Sequence, residues 1–207
     1  MPKGSPELTN ARKEEIISAC ETLYKTMSFK EITIKEIANF TSFTRTSIYN
    51  YFETKEEIFL ALLTREYNLW TDSLQKIFSE NDTLSADEFA QKIAHSLEER
   101  QQLLKILSMN HYDMEENSRE ANLVEMKRAY KNTIFLVEQC LLKFFPEMTK
   151  ERITNFKYTF FPFLFGIYPY AVVTNKQLNA MTCAGMDYKL KSVYELTYYC
   201  VKNLLEV

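Results

Sequence analysis

Apolar residues recur every three to four positions along most of the chain, the spacing that places them on one face of an α-helix. In the first such stretch they are Ile16, Cys20, Leu23, Tyr24 and Met27. The pattern predicts about nine helices, beginning near positions 9, 33, 44, 54, 85, 103, 119, 150 and 187. The polar segments 110–118 and 175–186 are predicted to be loops, and residues 1–8 are predicted to be a disordered lead-in.

Three Ser/Thr-x-x-Glu sequences mark predicted helix starts. In this arrangement the hydroxyl accepts the backbone N–H three residues further on, and the glutamate reaches back to the first N–H. The pairs are Thr33 with Glu36, Thr54 with Glu57, and Ser85 with Glu88. We expect each pair to fix the first turn of its helix.

Turn-forming residues are scarce, which narrows the fold class. The 207 residues include three Gly and five Pro, and no Gly lies between Gly4 and Gly166. A β-sandwich or a dinucleotide-binding α/β fold needs Gly at many turns, and glycine-rich phosphate loops need it outright. The chain is therefore predicted to be all-α, and enzymes with nucleotide-binding loops are excluded.

The composition is typical of a globular protein, with 46% hydrophobic and 26% charged residues and a net charge of −3. No apolar run reaches the roughly 18–20 residues that span a bilayer, and the N-terminus lacks the apolar segment of a secretion signal. We therefore expect a cytoplasmic protein without a membrane partner. The four cysteines are expected to be reduced thiols in the core. No Cys or His has metal-ligand spacing, so no metal and no cofactor is predicted.

Residues 33–52 predict a helix-turn-helix, in which two short helices are joined by a tight turn. The residues expected to pack the two helices together are Ile34, Ile37, Ala38, Phe43, Ile48 and Phe52. The outward residues of the second helix are Thr44, Arg45, Thr46, Ser47, Tyr49 and Asn50. None of these is acidic, and a helix of this kind suits the major groove, where Arg can pair with guanine and Asn with adenine.

The stretch from Thr33 to Lys55 reads T-x-x-x-I-A-x-x-x-x-F-T-x-x-S-I-Y-x-Y-F-x-x-K. It resembles the DNA-binding signature of the tetracycline-repressor (TetR) family of transcriptional regulators. The resemblance implies a three-helix DNA-binding domain over 9–55, followed by a helical ligand-sensing and dimerisation domain over 56–207. In this family the last two helices of each subunit form a four-helix bundle with the partner.

The resemblance also implies a role for each residue of the site. Thr33, Thr44, Tyr49 and Lys55 would contact DNA phosphates, where helix N-termini favour an anion. The residues that would read base edges are Arg45, Thr46 and Asn50, with Ser47 able to serve either role. Ser42 stands where the family usually has Gly, and a positive φ there would cost about 1 kcal/mol.

Charge gives this assignment modest support. Residues 25–55 carry five basic and three acidic side chains in a chain that is acidic overall. The local basic excess is small, so tight binding would require a homodimer that presents two such surfaces to a palindromic double-stranded DNA operator.

The larger domain is expected to bind a small hydrophobic effector. Aromatic residues cluster between 156 and 170, and Pro162 would bend their helix and open space beside it. We predict a pocket lined by Trp70, Met109, Tyr130, Phe160 and Phe163. An ordinary packed core would account for the same residues.

Together these observations predict a transcriptional repressor that an effector releases from DNA. One alternative is a co-regulator controlled by a protein partner. Another is an all-α enzyme acting on a lipophilic substrate, but the chain has no paired nucleophile and histidine and no di-metal carboxylate pattern. We therefore expect a protein that is not an enzyme.

Overall fold

The computed structural model describes residues 5–109 and 111–206, without the side chain of His111, and in them it contains eleven α-helices and no strand. The all-α prediction is confirmed, whereas the predicted count of about nine helices is too low. The helices are α1 (Pro6–Thr26), α2 (Ile34–Asn39), α3 (Arg45–Ile48), α4 (Lys55–Glu80), α5 (Ala86–Glu98), α6 (Gln101–Leu107), α7 (His111–Glu116), α8 (Glu120–Phe144), α9 (Lys150–Ala171), α10 (Asn175–Cys183) and α11 (Val193–Glu206).

The two additional helices, α7 and α10, lie in segments predicted to be loops. Helix α10 begins with a complete capping box, in which Thr174 accepts from the N–H of Gln177 and the Gln177 side chain accepts from the N–H of Thr174. Helix α7 is polar except for Met114, whose side chain is buried and anchors it. Both predictions of a loop were wrong because each helix buries too little apolar surface to show a helical period.

Two helix starts also differ from prediction. Helix α1 begins at Pro6, after Ser5 caps its first turn, so residues 6–8 are helical; residues 1–4 of the predicted lead-in lie outside the described residues. Helix α11 begins at Val193 rather than near 187. Ser192 and Glu195 exchange hydrogen bonds between side chain and backbone there, and this cap sets the start.

The chain forms two compact units, and α4 and α8 contribute residues to both. The first unit comprises residues 5–67 and 111–130, and the second comprises residues 68–109 and 131–206. The first unit extends beyond the predicted domain end at residue 55, because the first half of α4 packs against α1. The rings of Phe59 and Tyr24 meet edge to face with their centroids 5.0 Å apart.

The second unit has an aromatic core centred on α9. Phe156, Phe160 and Phe161 are buried, and α9 remains continuous through Pro162 and Pro169. Pro162 itself is exposed. No helix in the described part of the chain is long and apolar enough to cross a membrane.

The cysteines occupy three kinds of environment. Cys20 and Cys140 are buried, and burial raises the pKa of each thiol to about 12. Cys200 is half-buried, whereas Cys183 is exposed. The prediction that all four serve as core hydrophobes is therefore wrong for Cys183, which lies on α10, a helix without a buried residue.

Candidate nucleic-acid interface

Helices α2 and α3 form the predicted helix-turn-helix, and a threonine caps each of them. Thr33 Oγ1 accepts the backbone N–H of Glu36, and Thr44 Oγ1 accepts that of Ser47, both at 3.3 Å. A threonine hydroxyl that accepts such a bond can still donate its own hydrogen. Both threonines are exposed. The Thr33 hydroxyl can still donate to a DNA phosphate, whereas that of Thr44 also shares a hydrogen bond with Ser47 Oγ at 3.0 Å.

The second helix of the motif, α3, is shorter than the helix that the sequence predicted for contact with bases. Helix α3 spans four residues, and the chain continues through hydrogen-bonded turns that carry Tyr49 and Asn50. Ile48 is fully buried beneath this segment. The predicted contact residues Thr44, Arg45, Thr46, Tyr49 and Asn50 are exposed, and Ser47 is half-buried.

The turn between α2 and α3 carries no strain at Ser42. No non-glycine residue in the described ranges has a positive φ, so the expected cost of serine at this position is absent. The Ser42 N–H instead donates to a carboxylate oxygen of Glu15 on α1. Because the Ser42 N–H is hydrogen-bonded to this carboxylate, it cannot also donate to DNA.

Arg45 and Tyr49 form a pair on the exposed face of residues 44–50, which we call the recognition segment. Arg45 Nη2 donates to Tyr49 Oη at 3.1 Å, and the guanidinium carbon lies 5.8 Å from the centre of the tyrosine ring. Tyr49 is 43% exposed. The pair restricts the rotamers of Arg45 before any DNA is bound, which lowers the entropy that base recognition would cost.

Lys55 is bound within the protein. Its Nζ donates to the carbonyl oxygen of Phe29 at 2.8 Å and to that of Ile32 at 3.3 Å, and it lies 4.1 Å from the centre of the Phe29 ring. The lysine is half-buried. It therefore stabilises the segment that leads into α2.

A cleft of about 370 Å³ opens at this surface. It brings together the predicted residues Thr33, Arg45, Tyr49 and Lys55, and it adds Lys35, which sequence reasoning did not select. The described residues that line it are Ile32, Thr33, Ile34, Lys35, Arg45, Tyr49 and Lys55. Among these described residues there are three cations and no carboxylate, so the charge of the cleft favours an anion.

A buried carboxylate holds the stretch of chain that follows the recognition segment. Glu57 is 1% exposed and forms a two-pronged ion pair with Arg119, whose Nε and Nη2 lie 2.6 and 2.7 Å from its two oxygens. Arg119 Nη2 also donates to the carbonyl of Tyr51, and Glu57 accepts the N–H of Glu53. This Glu57–Arg119 clamp ties the start of α8 to the segment between α3 and α4.

The pKa of Glu57 reflects two opposing effects. Burial raises it, but the hydrogen bonds from Arg119 and from the backbone N–H groups of Glu53 and Arg119 outweigh burial, so the pKa lies below its usual value. Sequence reasoning missed Arg119 because the contact joins residues 62 positions apart.

The predicted effector-pocket residues are distributed between the two units. In the second unit, Trp70 and Phe160 are fully buried, with ring centroids 6.4 Å apart, and Phe163 packs beside Phe160. Met109 is half-buried. Tyr130 belongs to the first unit, where its ring lies 5.2 Å from that of Tyr67. A pocket lined by these residues stays a prediction.

A helix-turn-helix whose recognition segment is exposed and carries no acidic residue is typical of a DNA-binding transcription regulator. Residues 16–62 match the bacterial regulatory proteins of the tetR family, and residues 64–189 match the tetracyclin repressor-like C-terminal domain. The chain belongs to the tetracycline-repressor family, which confirms the resemblance read from Thr33 to Lys55.

One curated relative is the HTH-type transcriptional regulator YfiR of Bacillus subtilis (strain 168). It is 32% identical over 62 residues, and the match covers 30% of this chain and 30% of that protein. The likeness therefore lies in less than a third of each protein.

Solved structures share the fold over almost the whole chain. The fatty acid degradation regulator FadR from Bacillus halodurans is 15% identical with a TM-score of 0.57, covering 93% of this chain and 97% of its own. Thermus thermophilus FadR, a repressor solved in complex with lauroyl-CoA, is 16% identical with a TM-score of 0.58, covering 94% of each. The MbdR regulator from Azoarcus sp. CIB is 18% identical with a TM-score of 0.56, covering 94% and 97%.

Proposed function

We propose that this protein is a cytoplasmic transcriptional repressor that binds a palindromic operator as a homodimer. The segment from Thr44 to Asn50, in which every residue except the buried Ile48 reaches the surface, carries the proposal. It combines hydrogen-bonding side chains with one arginine, has no carboxylate, and borders a cleft lined by cations. Such a surface suits the major groove and its flanking phosphates.

Within this proposal, Thr33, Thr44 and Tyr49 contact phosphates. Arg45, Thr46 and Asn50 contact base edges. Ser47 lies 3.0 Å from the hydroxyl of Thr44, so it supports that side chain as well as facing DNA. A dimer places two recognition segments on successive major grooves, and their spacing matches the half-sites of a palindrome.

Release from DNA is proposed to follow binding of a hydrophobic small molecule by the larger domain. The aromatic side chains of α9 favour an apolar effector, and one solved relative was crystallised with lauroyl-CoA. Effector and operator would weaken each other by the same free energy, because their coupling is reciprocal.

A salt-titrated gel shift tests DNA binding. The purified full-length protein is incubated with DNA flanking its own coding region, and random-sequence DNA serves as competitor. We expect specific binding whose logarithmic affinity falls steeply and linearly with the logarithm of salt concentration. Binding no stronger than to random DNA, there and in a genome-wide selection, would favour a co-regulator that acts through a protein partner.

The Arg45→Ala variant tests base reading. A bidentate Arg–guanine pair provides about 1–3 kcal/mol of discrimination, so the variant should lose preference at one base pair in each half-site. Asn50→Ala should lose the base preference at a different position of each half-site. Selection from a random-sequence library measures both profiles. Unchanged profiles with uniformly weaker binding would assign the two residues to phosphates instead.

A further inference from the structure

The three cations of the cleft are engaged to different degrees. Lys55 donates two hydrogen bonds to backbone carbonyls, and an ammonium has only three N–H donors. Arg45 donates to Tyr49. Lys35 is exposed, lines the cleft, and makes no hydrogen bond or ion pair with any other described residue.

The contacts of Lys55 explain what it does for the cleft. They hold the carbonyls of Phe29 and Ile32, and the chain passes from the fully buried Ile32 directly into Thr33, the cap of α2. A phosphate would have to compete with these carbonyls and with the Phe29 ring for the ammonium of Lys55. Lys35 faces no such competition.

We propose that Lys35 supplies the cationic contact to a DNA phosphate in this cleft, and that Lys55 is a positioning residue. Lys55 fixes the place at which Thr33 and Lys35 stand, through the segment that leads into α2. This differs from the phosphate contact that the family resemblance implies for Lys55. The inference rests on the proposed function, because the cleft meets a phosphate only if the protein binds DNA.

The salt dependence of binding separates a direct contact from a positioning effect. Each phosphate contact that is lost makes the plot of log affinity against log salt concentration shallower by about 1, whereas a positioning residue acts on binding through the stability of the fold. The probe is a duplex that the full-length wild-type protein selects from a random-sequence library.

Lys35→Gln is expected to make the slope shallower by about 1 for each subunit and to weaken binding equally for all sequences. Its melting temperature should match that of the wild type, because the side chain is exposed. Lys55→Met is expected to lower the melting temperature, and any loss of slope should accompany that loss of stability.

Lys30→Gln is the matched control, because Lys30 is an exposed lysine of the same unit that does not line the cleft. It should retain the wild-type slope. A wild-type slope in Lys35→Gln, or an equal loss in Lys30→Gln, would overturn the assignment of Lys35. A reduced slope in Lys55→Met at an unchanged melting temperature would overturn that of Lys55. If the wild type selects no duplex, the proposed function itself fails.

Discussion

Replacing Arg119 by Met is expected to lower the free energy of unfolding by about 3 kcal/mol. The substitution leaves the carboxylate of Glu57 buried without its cationic partner, and breaking a buried ion pair from one side costs about 3–5 kcal/mol. We expect a cost at the lower end of this range, because the side chain of Arg119 is itself 45% exposed. Urea denaturation followed by circular dichroism measures the difference.

Glu57→Gln provides the comparison for this variant. It removes the buried charge and leaves Arg119 able to turn towards solvent, so it should cost less than Arg119→Met. The double variant should be more stable than Arg119→Met alone, because it no longer buries an unpaired charge. Additive losses in the double variant would show that the two residues act independently.

The effect of Arg119→Met should depend on pH in a defined direction. In the wild type the lowered pKa of Glu57 gives a stability contribution that is present above the pKa of the unfolded chain, about 4.3, and is lost as pH falls through the folded value. Without Arg119, burial dominates and raises this pKa, so protonation favours the folded state. The stability difference should therefore narrow as the pH is lowered from about 7 towards 4. A constant difference would contradict this role for Glu57.

Replacing Trp70 by Ala is expected to destabilise the protein by about 3–5 kcal/mol, the range for large aromatic residues in a packed core. Trp70 has no exposed surface, its rings lie between 6 and 7 Å from those of Phe160 and Phe161, and its Nε1 donates to Ser96 at 3.0 Å. Since Trp70 is the only tryptophan, circular dichroism rather than fluorescence must follow the unfolding.

The Trp70→Phe variant separates the two contributions at this site. It retains most of the packing and loses the hydrogen bond to Ser96, so it should cost clearly less than Trp70→Ala. If Trp70→Ala costs less than about 1 kcal/mol, the tryptophan borders open space, as the effector-pocket prediction requires. In that case, an apolar compound that raises the melting temperature of the wild type in a thermal-shift experiment should no longer raise that of the variant.

Local sequence signals predicted most of the helix starts. Ser85 and Glu88 form the complete capping box that was expected. At Thr33 the hydroxyl accepts the N–H of Glu36, but the return bond to the Glu36 side chain is not formed. One carboxylate oxygen of Glu36 is instead buried without a partner among the described residues. At Thr54 the hydroxyl caps as predicted, but the carboxylate of Glu57 is drawn into its pair with Arg119.

Contacts distant in sequence account for what could not be predicted. The residues of the recognition segment were identifiable because they lie within one motif, whereas Arg119, the residue before α8, reaches Glu57 from 62 positions away. The same holds for Glu15, which satisfies the turn amide of Ser42 and removes the need for glycine there. The Thr174 and Gln177 pair was visible in the sequence and would have predicted α10.

The brevity of α2 and α3 has a consequence for how the regulator can change over evolutionary time. Helices of six and four residues do not persist alone in water, so the reading surface depends on the buried Ile37 and Ile48 for its shape. It has no stability separate from that of the hydrophobic core beneath it. Substitutions in that core can therefore change the affinity of the regulator for DNA while every exposed residue of the recognition segment is inherited unchanged.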